Sequence, residues 1–251
     1  MSKKSVFRER LRAKEELIGI FVKTPSYNVI EVLGPSDLDF LMLDQEHSPF
    51  DLSAIDSCLM TANALDMPTF VRIQQNTATG MLYPLDCGAV GVVVPHVATI
   101  EKAEEIAAGG RYAGGRRGFA GTNRAGGYGT KHMNDYIAEA DSQTTVIAQI
   151  EDVDAVKNIE QIVKVNNIDG IFLGRADLTV GFGATSTSDT VVVDAVKHVC
   201  DIARSANMPI AAYAHKSEIA MLRDLGVTMF TVGSEHSLIQ NGANQVVADF
   251  S

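Results

Sequence analysis

The sequence predicts an α/β fold, a single (β/α)8 TIM barrel spanning residues 1–251. Apolar runs of strand length recur eight times: "ELIGIFVK" (16–23), "DFLMLD" (39–44), "PTFVRIQ" (68–74), "VGVVVPH" (90–96), "TVIAQIE" (145–151), "DGIFLG" (169–174), "MPIAAYA" (208–214) and "TMFTVGS" (228–234). Most are continuous rather than alternating, the pattern of parallel strands covered on both faces. A helical pattern usually follows each, and eight such units in 251 residues match the barrel in count and length. A doubly wound open sheet is the competing arrangement. It usually has fewer strands, and no GxGxxG follows the first run.

The connecting elements follow in order. "DLSAIDSCLMTANAL" over 51–65 has helical apolar spacing, and a shorter element over 77–87 ends at Gly88. Helices are expected over 99–108, 153–165, 191–206 and 216–225, the last stopped by Gly226. The stretch "GGRYAGGRRGFAGTNRAGGYGTKH" (109–132) is rich in Gly and Arg and too long for a plain connection. Loops of that length in compact domains are usually functional or disordered.

Bulk composition removes several function classes. A net charge of −10 with 6% aromatic residues gives no basic field for phosphate backbones, so nucleic acid is not an expected partner. An anionic substrate would need local cations or a metal. No apolar stretch approaches bilayer length, and the basic start "MSKKSVFRERLRAKEE" lacks the apolar segment of a secretory signal, so no membrane partner is expected. Cys58, Cys87 and Cys200 form no CxxC, which fits reduced thiols in a cytoplasm.

In a barrel the reactive groups gather at the C-terminal ends of the strands. The second run ends in Asp44, Glu46 and His47, a concentration of charge that strand stability does not require. Arg72 stands in the third run, Pro95-His96 ends the fourth, and Gln149 and Glu151 end the fifth. Gly174, then Arg175 and Asp177, follow the sixth; His215 follows the seventh; Gly233 and Ser234 end the eighth. Glu151 and Asp177 are 26 residues apart, one βα step, so their carboxylates can share a cation. Oxygen donors suit Mg²⁺ or Mn²⁺ better than Zn²⁺. Either acid alone also reads as a helix cap or a solvated loop group. Lys23 reads as a loop lysine, which disfavours a Schiff base. Glu46 reads as a structural hydrogen-bonding group, and His96 and His215 as core or supporting histidines.

"LDQEHSPFD", Arg72 in "VRI", "VVVPHV", "GRRG", "AQIED" and "FLGRADL", in this order over almost the whole chain, resemble the HpcH/HpaI aldolase family. The resemblance implies a barrel of the phosphoenolpyruvate/pyruvate-binding type, assembled as a hexamer. It also implies a class II pyruvate aldolase that forms or cleaves a 4-hydroxy-2-oxo acid from pyruvate and an aldehyde. Its divalent ion, Mg²⁺ or Mn²⁺ with Co²⁺ as a further option, would be held by Glu151 and Asp177. His47 would be the acid/base, Arg72 the cation facing the pyruvate oxygens, Asp44 the acid beside a metal-bound water, and Asp86 the acid orienting the histidine. Gln149, Gly174, Arg175, Ala176 and Ser234 would contact substrate. Arg175 stands where the family usually has Pro, and Glu235 where it often has Asp. With Arg116, Arg117 and Arg124, Arg175 is expected to hold an anionic acceptor at the mouth; the alternative is that Arg175 pairs with a local acid such as Asp177 or Glu151 or lies in solvent. The alternatives are a related oxaloacetate-using condensing enzyme or decarboxylase, and a catalytically silent metal- or ligand-binding barrel.

Overall fold

The computed structural model describes residues 2–250. Eight parallel strands close into a barrel in sequence order: β1 (Leu17–Val22), β2 (Phe40–Asp44), β3 (Thr69–Arg72), β4 (Gly91–Val94), β5 (Thr145–Ile150), β6 (Gly170–Leu173), β7 (Ile210–Tyr213) and β8 (Met229–Ser234), with β8 pairing back to β1. Each lies within the apolar run expected to form it. The helices are α1 (Lys3–Arg12), α2 (Tyr27–Leu33), α3 (Leu52–Ala64), α4 (Ala78–Asp86), α5 (Ile100–Gly109), α6 (Met133–Gln143), α7 (Val153–Ile162), α8 (Arg175–Gly181), α9 (Thr190–Ser205), α10 (Ile219–Asp224) and α11 (Glu235–Asp249).

The six expected helical stretches correspond to α3, α4, α5, α7, α9 and α10, the last entered through a 3-10 turn at Lys216–Glu218. The side chains of Asp51, Thr77 and Thr99 cap α3, α4 and α5 by accepting from backbone N–H groups three residues on. Five helices were not anticipated. α2 and α8 have seven residues each, too few to display a period. α1 is mostly charged, with Phe7 and Leu11 as its buried apolar pair, and most of α11 lies exposed.

Two apolar layers hold the barrel. Leu41, Leu43, Val71, Ile73 and Val92 face outward and pack under the helices. Phe21, Phe40, Met42, Phe70, Ile147 and Phe172 face inward. The wide interior near the start of the strands is closed by α1. Phe7 is fully buried and meets Phe70 and Phe40 edge-on, with ring centroids 5.2 and 6.0 Å away. Asp169, ahead of β6, fixes the same end: it takes Arg8 and Arg12 at 2.9 Å, Arg111 at 2.7 Å and the Val146 amide at 3.0 Å. Phe7→Ala should therefore cost about 3–5 kcal/mol in urea unfolding, the usual loss for a fully buried aromatic. A change below about 1 kcal/mol would place α1 outside the core.

Candidate active site

Strand periodicity decides which side chains look into the barrel. On β2 the inward set is Phe40, Met42 and then Asp44, so the acid is the top layer of an otherwise apolar column. The β2–β3 register sets Asp44 level with Arg72, and the β1–β2 register brings Lys23, one residue past Val22, beside it. Arg72 donates to Asp44 Oδ1 through Nε at 3.0 Å and Nη2 at 2.8 Å. Its Nε also lies 3.2 Å from Glu46 Oε2, and the guanidinium stacks 4.6 Å over the Phe21 ring. Lys23 Nζ is 3.5 Å from Asp44 Oδ2, so the expected loop lysine belongs to this charge layer. The His47 amide donates to Asp44 Oδ1 at 3.3 Å.

A second group of charges stands at the ends of β4 and β5. The His96 amide donates to Glu151 Oε1 at 2.7 Å, and its ring Nδ1 lies 3.5 Å from that oxygen. Gln149 donates through Nε2 to Glu151 Oε2. His96 sits at φ +54°, a left-handed conformation uncommon outside glycine, immediately after Pro95. Gly174 is required where it is: a Cβ there would lie 2.4 Å from the Glu151 Cβ. The end of β6 can thus pass directly against the buried carboxylate.

Glu46, His96 and Glu151 offer one ligand atom each within 4.8 Å of one another. Glu46 Oε2 and Gln149 Oε1 are buried and accept no hydrogen bond. Around them Asp44, Glu46 and Glu151 face two permanent cations, Arg72 and Lys23. Surplus negative charge, with the unbonded Gln149 oxygen beside it, fits a divalent cation with oxygen and imidazole ligands. Burial pushes the carboxyl pKa of Glu46 up, against the pull of Arg72. Burial likewise raises that of Glu151, despite its bonds from Gln149 and His96. Burial alone would lower the His96 pKa, but Glu151 and Asp152 outweigh it and raise it.

A cavity of about 440 Å³ opens above this layer. Of the expected site residues, His47, Arg72, Gln149, Gly174, Arg175, Ala176, Asp177 and Ser234 line it. Asp44 and Glu151 lie buried beneath. Asp177 is exposed on the first turn of α8 and is not part of the Glu46–His96–Glu151 cluster. Asp86 is not brought to this cavity: it ends α4, receives Arg117 at 2.9 Å, and lines another cavity with Gln45, Gln74 and Tyr83.

Arg175 takes neither of the acids expected for it. Its two Nη groups each reach a Glu218 oxygen at 2.9 Å, and Nη2 also reaches the Tyr213 carbonyl at 3.2 Å. The guanidinium ties α8 to the segment after β7, so it is not a free anion hook. The loop arginines do not stand at the mouth either. Arg117 pairs with Asp86 and Arg124 with Asp56 at 2.6 Å, and both line a cavity at the opposite end of the barrel. The reason is topological: the loop leaves the end of α5 and leads to α6 and the start of β5. Glu235 is structural, accepting from the amides of Lys23 at 2.8 Å and Thr24 at 2.6 Å. The grouping of Glu46 and His96 with Glu151 was missed. Glu46 stood in the D-x-E-H run, but the backbone turn at His96 leaves no mark in the sequence.

The sign of the pH effect follows from the raised carboxyls. A folded state that binds protons more readily than the unfolded chain is favoured at low pH and loses that advantage as pH rises. Relative to Glu46→Gln, the metal-free wild type should lose stability as pH rises from about 4.5. Urea unfolding of both proteins at several pH values reads this difference, and a difference that grows in favour of the wild type would contradict it.

The HpcH/HpaI aldolase/citrate lyase family model matches residues 17–242. The 5-keto-4-deoxy-D-glucarate aldolase of Enterobacter sp. (strain 638) is 30% identical over 246 residues, covering 97% of this chain and 95% of the relative. The enzyme of the same name from Escherichia coli O6:H1 is 31% identical over the same length, with the same coverage. An HpcH/HpaI aldolase/citrate lyase family protein from Burkholderia cenocepacia J2315 superposes with a TM-score of 0.92 at 26% identity, covering 98% of this chain and 99% of that one. The citrate synthase SbnG superposes with a TM-score of 0.85 at 27% identity and 96% coverage of both. With its strand-end charges set as described, the chain belongs to the HpcH/HpaI aldolase/citrate lyase family.

Proposed function

We propose that this class II pyruvate aldolase cleaves and forms a 4-hydroxy-2-oxo acid at the cavity above Asp44, Arg72 and Glu151, with a divalent cation as cofactor. The observation that carries this reading is the buried Asp44–Arg72 pair beside a surplus of carboxylates, with Arg72 and Gln149 of this layer lining the cavity above it. The resemblance to 5-keto-4-deoxy-D-glucarate aldolases supports a deoxy-keto sugar acid as the substrate class.

Glu151 would hold the cation, with Asp177 closing on it from the rim, as the family resemblance implies. A second ligand set, Glu46 and His96, shares Glu151 and is favoured by its assembled geometry. Mg²⁺, Mn²⁺ or Co²⁺ bound there would supply Lewis acidity, drawing charge from the carboxylate and keto oxygen of a 2-oxo acid. Arg72, oriented by Asp44, places a fixed positive charge where oxyanion character develops on the pyruvate half. His47, at the cavity wall, moves the proton between the aldol hydroxyl and solvent. Gln149 binds the pyruvate portion, while Gly174, Arg175, Ala176 and Ser234 shape the acceptor side. An anionic acceptor must compete with Glu218 for Arg175.

A homo-oligomer, a hexamer by resemblance, accompanies this reading. The half-exposed Leu238 and more exposed Ile239 of α11 share an apolar cavity with Val32 of α2, which supports burial against other copies. The free, buried cysteines support a cytoplasmic setting. Among the described residues no helix is long and apolar enough to cross a membrane.

Pyruvate release from a panel of hydroxy-keto sugar acids, with and without chelator, tests the reaction. Full activity after chelation would defeat the metal-dependent reading. The likeness to a citrate synthase supports a second reading, a condensing enzyme, and product analysis with oxaloacetate alone separates the two.

His47→Ala should lower cleavage by a factor on the order of 10² to 10⁴ while leaving Mn²⁺ affinity nearly unchanged. A large loss of bound Mn²⁺ would make His47 a ligand instead. Mn²⁺ titration also distinguishes the two ligand sets. Asp177→Asn should weaken binding about tenfold or more if the rim acid closes the site, and His96→Gln should do so if the buried cluster is the site. Equal indifference of both variants would leave neither set standing.

A further inference from the structure

At the end of the barrel opposite the mouth, a cavity of about 280 Å³ is lined by Lys4, Arg117, Arg124 and Lys131. Among the described residues, Glu139 is the one carboxylate on its wall. Lys4 comes from α1 and the other three cations from the loop between α5 and α6, while Thr144 and Val90 stand just ahead of β5 and β4. In a chain of net charge −10, this is a local reversal of sign.

The partners these cations already have are divided: two aspartates lie outside the cavity, while Asn63, Thr144, the Ala125 carbonyl and Glu139 line it. Arg117 gives one Nη to Asp86 at 2.9 Å and Arg124 one to Asp56 at 2.6 Å, and neither aspartate lines the wall. Lys4 Nζ donates to the neutral Asn63 amide oxygen. Asp66 is committed to the amides of Lys3 at 2.7 Å and Lys4 at 3.4 Å. Lys131 reaches Glu139 at 2.6 Å. The Arg117 side chain is only 2% exposed, and its Nε, like that of Arg124, is buried with no hydrogen-bond partner. Two guanidinium N–H groups thus bear their desolvation penalty without an acceptor. Burial lowers the Lys4 pKa against the pull of Asp66, and the neighbouring charge of Lys131 lowers it further.

We propose that this cavity is a second binding site that takes a phosphate group, free or as the ester of a small metabolite. A tetrahedral dianion has acceptor oxygens pointing in several directions. That suits cations approaching from α1 and from separate points of one loop better than the two coplanar oxygens of a carboxylate. Occupation would also link α1, which carries the Phe7 plug, to the loop over 110–132. The site therefore reports on the integrity of the closed end rather than on the chemistry at the mouth.

Isothermal titration with inorganic phosphate and with glycerol 3-phosphate, at constant ionic strength set by chloride, tests the proposal. The wild type should bind at least one of them saturably and gain thermal stability with it. Stronger binding of the ester assigns an esterified ligand, and stronger binding of the free ion assigns phosphate itself. Lys4→Gln and Lys131→Gln should each weaken binding about tenfold, while Lys23→Gln at the mouth should not. Lys131 is partly exposed, so Lys131→Gln decides the matter if Lys4→Gln fails to fold. Absence of saturable binding in the wild type would overturn the proposal. So would binding that survives Lys131→Gln and is lost in Lys23→Gln.

Discussion

Asp44 has no exposed surface, and a carboxylate in that position is tolerated only when a cation meets it closely. Arg72 does so from the adjacent strand, at the same level of the barrel, with two nitrogens on one oxygen. The rest of the mouth is arranged around this pair. Asp44 turns the His47 amide toward itself, Lys23 approaches its second oxygen, and Glu46 meets the same Nε of Arg72 that donates to Asp44. Breaking a buried pair by removing one member leaves an uncompensated charge, typically a loss of 3–5 kcal/mol. The pair is thus a structural clamp that also fixes the direction of the Arg72 guanidinium, the group proposed to face the pyruvate oxygens.

The two ends of the barrel solve different electrostatic problems. At the mouth, carboxylates outnumber permanent cations, and burial raises the pKa of two of them. That imbalance is costly in the bare protein and would be relieved by the proposed cation. At the closed end, one aspartate, Asp169, collects three arginines, and nearby cations line a cavity with little negative charge on its wall. Between the ends, Phe21, Phe40, Phe70 and Phe172 fill the interior and separate the two fields by an apolar layer.

The barrel was legible because continuous apolar runs of strand length, repeated eight times, have few other ways to be buried. The layer of charge at the strand ends was legible for the same reason: Asp44, Arg72, Gln149 and Glu151 interrupt or end those runs. Who touches whom was harder to read. Arg175 chose Glu218, 43 residues away, because the turn after β7 brings that acid over the start of α8. Arg117 and Arg124 look like mouth residues in a linear reading, yet the long loop begins where α5 ends, at the closed side. His96 joins Glu151 through a left-handed backbone turn that no residue pattern announces. Asp86, carried over by resemblance as a partner of the histidine, sits with Arg117 within the single chain.

The most direct measurement is the exchange of pyruvate methyl protons for deuterium in D₂O with Mg²⁺ and no aldehyde present, followed by proton NMR. This isolates enolate formation from acceptor binding. Exchange that requires the added cation, and that falls sharply in Glu151→Gln and Arg72→Lys, is the expected result. Exchange that persists in full under chelation, or is unaffected by both substitutions, would contradict enolate formation at this mouth.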